Sequence, residues 1–304
     1  MKIKNCSFLS IVCIFLFLVS CNKSCQNKQI PEDLPIKKEE FKSLTNFDYK
    51  MLTPEQKNAF NKLLNDEVCP CDCPSTFFEC VENNSCPAGK LLAQWSVDQL
   101  LLGAPERNLF KALSEEINTG FKSNPKTIDV STAYQKGDKK ALITIVEFAD
   151  FECPACKVIS KEIRAFYEEH KNDVQIYFMH FPLSSHLNAE FAAIASEAAH
   201  KLGKFWPMHD LLFDYEGSLS QASIKSLASK LFSPSEVKTF EKHLADKSLL
   251  TKVTSQKDYA LNTLQIMATP SLFINGRLLK LPPFKEALKI RIEMEKLRDK
   301  ATCK

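Results

Sequence analysis

The sequence predicts an α/β protein in which a small sheet carries a helical insertion and is preceded by a small all-α, cysteine-rich module. From about residue 124 onward, strand-like and helical patterns follow in the order β, β, α, β, a long helical stretch, β, β, α. Before that point, five cysteines fall within residues 69–86, among helical segments. At roughly 150 residues per domain, the 304 residues fit one large domain or two smaller ones.

Composition excludes several classes of protein. Charged residues make up 25% of the chain and hydrophobic residues 44%, which excludes disorder over most of the length and a polytopic membrane protein. The formal charge is only +3, so no nucleic-acid partner is expected. Neither of the two common phosphate-binding glycine motifs is present, and no cofactor is predicted.

The N-terminus predicts export to the cell envelope. Lys2 and Lys4 precede an apolar run that is too short for a transmembrane helix, so residues 1–20 are expected to be a signal peptide. The run ends in Leu-Val-Ser-Cys21, which resembles the lipobox of bacterial lipoproteins, where the cysteine is acylated. The alternative is an ordinary signal with a chance cysteine. A periplasm-facing lipoprotein with a lipid anchor in the membrane is expected, and Asn22 favours the outer membrane over the inner one.

Residues 21–50 are polar, charged and interrupted by prolines, which predicts a linker. The helical module is expected over residues 51–122. Its first helix should begin at Thr53-Pro54, with Thr as N-cap and Pro at the first position, and end near Asp66. Two further helical stretches are bounded by proline and glycine, at residues 87–103 and 105–120.

The module contains an odd number of clustered cysteines: Cys69, Cys71, Cys73, Cys80 and Cys86. Structural disulfides are one interpretation, with the fifth thiol free or paired to Cys25 or Cys303. An all-cysteine zinc site is a second interpretation, and a redox role is a third. The pattern also faintly resembles the thiol module of cytochrome c maturation proteins of the CcmH type, although the spacing differs.

The second domain is expected over residues 124–304. Between the strand that ends at His180 and the next strand, residues 188–264 have a helical period throughout. A parallel crossover needs only a dozen or so residues, so this stretch must include an inserted helical subdomain. The expected strands cover residues 127–134, 141–148, 174–180 and 270–274, followed by an Asn-Gly turn to a further short strand, and the closing helix runs from 283 to about 300.

Cys153-Pro154-Ala155-Cys156 is a C-x-x-C at the junction of a strand and a helix. Pro154 suits the first helical position and places Cys153 at the cap, where amide donors and the helix dipole stabilise a thiolate. Cys153 is therefore the expected nucleophile. Cys156, one turn on and more buried, is expected to resolve a mixed disulfide. A structural disulfide or half of a zinc site is the alternative.

Three acids accompany this motif. Glu147 lies in an apolar strand run, six residues before Cys153, and is predicted to accept the proton from Cys156. Asp150 and Glu152 are expected to oppose the Cys153 thiolate. The six histidines show no metal-ligand spacing, so hydrogen-bonded or solvated structural roles are expected for them.

The chain resembles the DsbA-like branch of the thioredoxin superfamily, the thiol-disulfide oxidoreductases of the bacterial envelope, over about residues 127–297. Four ordered blocks carry the resemblance: Val-Glu-Phe-Ala-Asp-Phe-Glu-Cys-Pro-Ala-Cys-Lys at 146–157, His-Phe-Pro-Leu at 180–183, Gly-Lys-Phe-Trp at 203–206, and Ala-Thr-Pro-Ser-Leu-Phe-Ile-Asn-Gly-Arg at 268–277. The resemblance implies a thioredoxin-like fold with a helical insertion.

The resemblance also implies site residues and partners. Thr269-Pro270 would form a cis-proline loop facing the thiols, and Pro154, Ala155, Thr269 and Pro270 would contact substrate. The implied substrates are unfolded or cysteine-containing envelope proteins, and the implied recycling partner is a membrane redox protein such as a quinone-linked reductase.

The sequence departs from the strongly oxidising members of the family, because no His stands between the two active-site cysteines. Formation, isomerisation and reduction of disulfides therefore all stay open. The competing hypothesis is a metal-binding or partner-docking accessory lipoprotein, for example in cytochrome c maturation, that uses the cysteine cluster.

Overall fold

The computed structural model describes residues 41, 43–71, 73–282 and 284–298. The predicted signal peptide, Cys21 and most of the linker lie outside these residues. Within the described part, no helix is long and apolar enough to cross a membrane. Residues from Glu40 onward belong to one compact unit.

The N-terminal helices begin and end close to the predicted positions. Thr53 caps the first helix in a capping box with Gln56, and the helix ends at Asp66 as predicted. The following helices begin after a second capping box at Thr76 and at the N-cap Cys86. The elements are α1 (Pro54–Asp66), α2 (Phe77–Glu82), α3 (Pro87–Leu101), α4 (Glu106–Glu115) and a π-helix (Glu116–Phe121).

A five-stranded mixed sheet follows, in the strand order β1-β3-β2-β4-β5. β2 and β3 are parallel, and β1, β4 and β5 each pair antiparallel with their neighbours. The thioredoxin-like α/β fold expected from the sequence is confirmed. The strands are β1 (Tyr134–Lys136), β2 (Ile143–Ala149), β3 (Val174–His180), β4 (Ser271–Ile274) and β5 (Arg277–Leu278).

The strand predicted over residues 127–134 is wrong for most of its length, because pairing begins only at Tyr134. The alternating apolar residues Ile128, Val130 and Ala133 instead pack as an irregular segment against one face of the sheet. A turn from Val130 to Ala133 and a hydrogen bond from the Asp129 amide to the Tyr259 hydroxyl hold that segment. The apolar pattern in this segment reflects its packing against the sheet. A segment can pack in this way without pairing as a strand, so the pattern alone did not identify a strand.

The helical insertion predicted between β3 and β4 is present as five helices, α6 to α10. The remaining two helices follow β2 and β5. The bounds are α5 (Pro154–Glu169), α6 (Ala189–His200), α7 (Phe205–Asp214), α8 (Gln221–Leu231), α9 (Pro234–Leu244), α10 (Lys247–Asn262) and α11 (Lys285–Leu297).

The cysteine-rich helices and the sheet share one hydrophobic core. Leu92 and Leu113 from the N-terminal helices are buried in the same cluster as Ile145 of β2, Ile163 of α5 and Leu288 of α11. Burying this apolar surface from both parts stabilises each part against the other. The N-terminal helices are therefore an integral part of the fold, with α3 packed against α11 and the π-helix against β5.

A fully buried ion pair crosses this core. Glu116, in the π-helix, pairs with Arg291 of α11, and both side chains are completely buried. The Glu116 carboxylate also accepts hydrogen bonds from the Lys280 and Leu281 amides, at 2.7 and 3.2 Å. Arg291 in turn contacts Glu295 at 3.1 Å. Every charge is paired, which is the condition for tolerating charges in a core.

We predict that Glu116→Ala lowers the free energy of unfolding by about 3 kcal/mol or more, because it leaves Arg291 buried without its main partner. The double variant Glu116→Ala/Arg291→Met should recover part of that loss. Urea unfolding of the full chain measures both. Glu115→Ala is the matched control, since the Glu115 side chain is 43% exposed and pairs with Lys111 at 3.9 Å, so its loss should change stability by less than about 1 kcal/mol. Equal effects of Glu115→Ala and Glu116→Ala would contradict this account.

Candidate functional site

Cys153 lies at the start of α5, after β2 and its short loop. It is the N-cap residue, Pro154 occupies the first helical position, and the Cys153 Sγ accepts a hydrogen bond from the Cys156 amide at 3.4 Å. Pro154 and Ala155 are both exposed beside it. The sulfur therefore meets the free amides and the positive end of the helix dipole.

These contacts lower the pKa of the Cys153 thiol to about 5. The largest cause is a hydrogen bond from the Cys156 thiol, and partial burial opposes it. Thr269 and the backbone amides of Cys156 and Ala155 lower the pKa further. At neutral pH, Cys153 is therefore a thiolate, which is the nucleophilic form of cysteine.

Cys156 has the opposite character. It is completely buried, and the burial raises the pKa of its thiol, with the neighbouring Cys153 adding to the effect. Both active-site cysteines are free in the structure. The two sulfurs thus have the asymmetry expected of an attacking and a resolving thiol.

The cis-proline loop faces Cys153. The Thr269-Pro270 peptide bond is cis, and the Thr269 carbonyl oxygen lies 3.5 Å from the Cys153 Sγ. The Thr269 Oγ1 is buried and has no conventional hydrogen-bond partner in the described part of the chain. The structure therefore brings both predicted loop residues next to the thiol pair.

Glu147 lies on the central strand β2, between Phe178 of β3 and Leu272 of β4. Its side chain is buried, and Oε1 has no hydrogen-bond partner among the described residues. This burial raises the pKa of Glu147 to about 8. A carboxyl group that titrates near neutrality can exchange protons in either direction.

Asp150 and Glu152 hold the neighbouring loop. The buried Asp150 carboxylate accepts hydrogen bonds from the amides of Glu152 and Leu183 and lies 2.7 Å from the His186 Nδ1. Glu152 accepts two hydrogen bonds from Asn188. Both carboxylates are thus engaged in positioning the loop after β3, a role that the sequence analysis missed. The His-Phe-Pro-Leu block at 180–183 was the sequence signal that could have pointed to this loop.

A buried polar network behind the site was also missed. Glu197 of α6 contacts His180 at 3.1 Å, accepts a hydrogen bond from the Tyr134 hydroxyl, and pairs with Lys252 at 3.1 Å. Nothing in the residue spacing joins these four positions, which come from four separate elements. The structural role expected for the histidines agrees with this placement of His180.

The cysteine cluster is oxidised in the structure. Cys69 is bonded to Cys80 and Cys71 to Cys86, and Cys73 is also disulfide-bonded. The sulfurs of Cys69, Cys80 and Cys86 lie within 4.8 Å of one another. Sulfurs held in disulfides are not thiolate ligands, so this state does not favour the metal-binding alternative. The cluster also belongs to a different core from Cys153 and Cys156.

Comparison with known proteins identifies the family. A family model described as Thioredoxin matches residues 130–293, which is more than half of the chain. The probable disulfide bond formation protein D of Bacillus cereus is 30% identical over 175 residues, covering 54% of this chain and 79% of that protein. The solved structure of oxidised BdbD from Bacillus subtilis has 25% identity and a TM-score of 0.49, over 59% of this chain and 98% of the other.

A longer relative matches as well. The Na(+)/H(+) antiporter NhaA 1 of Salinispora arenicola is 32% identical over 190 residues, which are 62% of this chain but only 28% of the antiporter. The shared part is therefore a fraction of that protein. Taken together, the match over residues 130–293 and the similarity to disulfide bond formation protein D show that the chain belongs to the thioredoxin family.

Proposed function

We propose that this chain exchanges disulfides with cysteine-containing proteins of the cell envelope through Cys153 and Cys156. The observation that carries the proposal is the Cys153 sulfur, which caps α5 with a pKa of about 5 beside a buried resolving thiol. The names of the Bacillus relatives, which refer to disulfide bond formation, support it.

The proposed reaction has two exchanges. With the enzyme oxidised, a substrate thiolate attacks the Cys153 sulfur, the Cys153–Cys156 bond breaks, and Cys156 leaves as a thiolate that must take up a proton. A second substrate thiolate then attacks the substrate sulfur in the mixed disulfide and releases the Cys153 thiolate. Two electrons pass from the substrate, which gains a disulfide, to the enzyme pair.

The low pKa of Cys153 favours this direction over reduction. A thiolate with a depressed pKa is a good leaving group and stabilises the reduced enzyme. Because the folded pKa lies near 5 and an ordinary thiol titrates near 9, the native state binds fewer protons than the unfolded state between these values. The resulting stabilisation of the reduced form is complete above about pH 9 and is lost as the pH falls through 5.

Glu147 is proposed as the proton relay for Cys156. The Cys156 thiolate that forms in the first exchange is buried, so its charge must be neutralised inside the protein. A carboxyl group with a pKa of about 8 is mostly protonated at neutral pH and can donate that proton. In the reverse exchange it accepts the proton from Cys156.

The proposal includes the chain's organisation and location. Residues 1–20 are proposed as a signal peptide, Cys21 as the lipid-anchored residue, 21–50 as a linker, 51–122 as a disulfide-stapled module, and 124–304 as the catalytic domain. Pro154, Ala155, Thr269 and Pro270 would contact substrate. A membrane redox partner would reoxidise the dithiol.

We predict that Cys153→Ala abolishes catalysis of both the oxidative refolding of a reduced protein and insulin reduction, because the other free thiol among the described residues, Cys156, is completely buried. Cys156→Ala should instead accumulate a mixed disulfide on Cys153. The control variant Cys71→Ser/Cys86→Ser removes one staple outside the site and should retain exchange if it folds by circular dichroism. Wild-type exchange rates in Cys153→Ala would refute the proposed function.

We predict that Glu147→Gln slows resolution of the mixed disulfide by Cys156 about tenfold or more, measured by single-turnover quenching.

The Glu147→Gln variant should also change the pH dependence of the free energy of unfolding. Native Glu147 keeps its proton between pH 4.5 and about 8 while the unfolded chain loses it, so the wild-type free energy of unfolding falls as pH rises through that window. The Gln variant should lack this fall.

The control for Glu147→Gln is Glu106→Gln, at an exposed position in the first turn of α4. It should alter neither the resolution rate nor the slope of stability against pH. If Glu147→Gln behaves like this control in both measurements, Glu147 is not the relay.

A further inference from the structure

A groove of about 400 Å³ lies on the face of the sheet opposite α5 and α11. We call it the module groove. Its floor is apolar and consists of Leu264, Phe273 and Leu278, and it runs between Ser123 at the end of the helical module and Ala268 in the cis-proline loop. The module thus forms one of its walls.

The module wall is fixed to the sheet. The Lys126 amide donates to the Gly276 carbonyl at 2.8 Å, and the Arg277 Nε donates to the Ser123 carbonyl at 2.7 Å. Gly276 has a φ of +77°, and a Cβ there would lie 2.5 Å from the Lys126 oxygen, so only glycine allows this approach. The groove is therefore preformed, as small-molecule and peptide sites usually are.

The groove borders the cis-proline loop that faces Cys153. Ala268 and Ser271, which line it, flank the Thr269-Pro270 pair in the chain, and the Thr269 carbonyl lies 3.5 Å from the Cys153 sulfur. Adjacent residues are separated by only about 3–4 Å. A polypeptide whose cysteine reaches Cys153 can therefore extend past the cis-proline loop into the groove.

The chemistry of the groove defines its ligand. Met267, at its edge, is 80% exposed, and the floor offers buried apolar contacts. Lys126 and Lys280 also line the groove, and within residues 41–298 as described neither has a carboxylate partner. The Lys126 ammonium donates only to the Leu264 carbonyl, at 2.9 Å. An apolar floor bordered by two unpaired cations suits apolar side chains next to an acidic one.

We propose that the module groove binds an extended segment of the substrate polypeptide that flanks the reactive cysteine and carries apolar residues and at least one acidic residue. The inference rests on the proposed function and deepens it. It makes the helical module a determinant of substrate preference, through the wall that it adds beside the cis-proline loop.

The test uses two decapeptides, each with one cysteine as a mixed disulfide with glutathione. The first peptide has Leu, Phe and Glu on each side of the cysteine, within five residues of it. The second peptide is the same except that Lys replaces each Glu. For each enzyme variant, the rate constant of exchange is divided by the rate constant with glutathione disulfide. We expect Lys280→Glu to lower this ratio about tenfold for the acidic peptide and to raise it for the lysine peptide. Thr119→Trp, which places a bulky side chain in the groove from the module wall, should lower the ratio for both.

Matched controls separate the groove from general effects. Lys90→Glu reverses an exposed charge elsewhere on the module, and Thr239→Trp replaces an exposed helical Thr whose hydroxyl, like that of Thr119, donates to the carbonyl four residues earlier. Neither should move the ratio. If the ratios are unchanged in Lys280→Glu and Thr119→Trp, or if the control variants change them equally, the proposal for the module groove is wrong. The proposed function is unaffected by that outcome. Wild-type protein that exchanges with neither peptide nor glutathione disulfide overturns both.

Discussion

The stabilisation of one sulfur charge at the start of α5 is the interaction on which the rest of the site depends. The free amides of the first helical turn and the Cys156 thiol hold the Cys153 thiolate. Asp150 and Glu152 anchor the adjoining loop after β3, and the cis-proline loop closes over the sulfur from the other side. The protein thus stabilises the Cys153 thiolate more strongly than water does, because the groups around the sulfur are held in place.

The helical module is part of the same platform. Its helices share a core with β2, α5 and α11, and the Glu116–Arg291 pair ties it to the segment that follows β5. The Cys69–Cys80 and Cys71–Cys86 disulfides, each closing a short loop, constrain a region that has few residues to form a core of its own. A stapled module fixed in this way can present a rigid wall beside the active site.

Local patterns predicted most of the fold and the centre of the site. Capping signals located α1, the strand-like run at 174–180 located β3, and the Pro after Cys153 located the start of α5. The exception was the 127–133 segment, where alternation reflected burial against the sheet. The Asp150 anchor, the Glu197 network and the Glu116–Arg291 pair could not be predicted, because they join residues that are 17 to 175 positions apart, and only the tertiary fold brings them together.

The reduction potential of the Cys153–Cys156 pair tests the central claim most directly. It can be measured on the full-length protein without knowing its substrate, by equilibration with glutathione buffers and mass-resolved counting of free thiols. A thiolate stabilised at pKa about 5 predicts an oxidising pair, with a potential closer to about −120 mV than to about −270 mV. A value near about −270 mV would show that the Cys153 charge does not stabilise the reduced form, and would contradict the account.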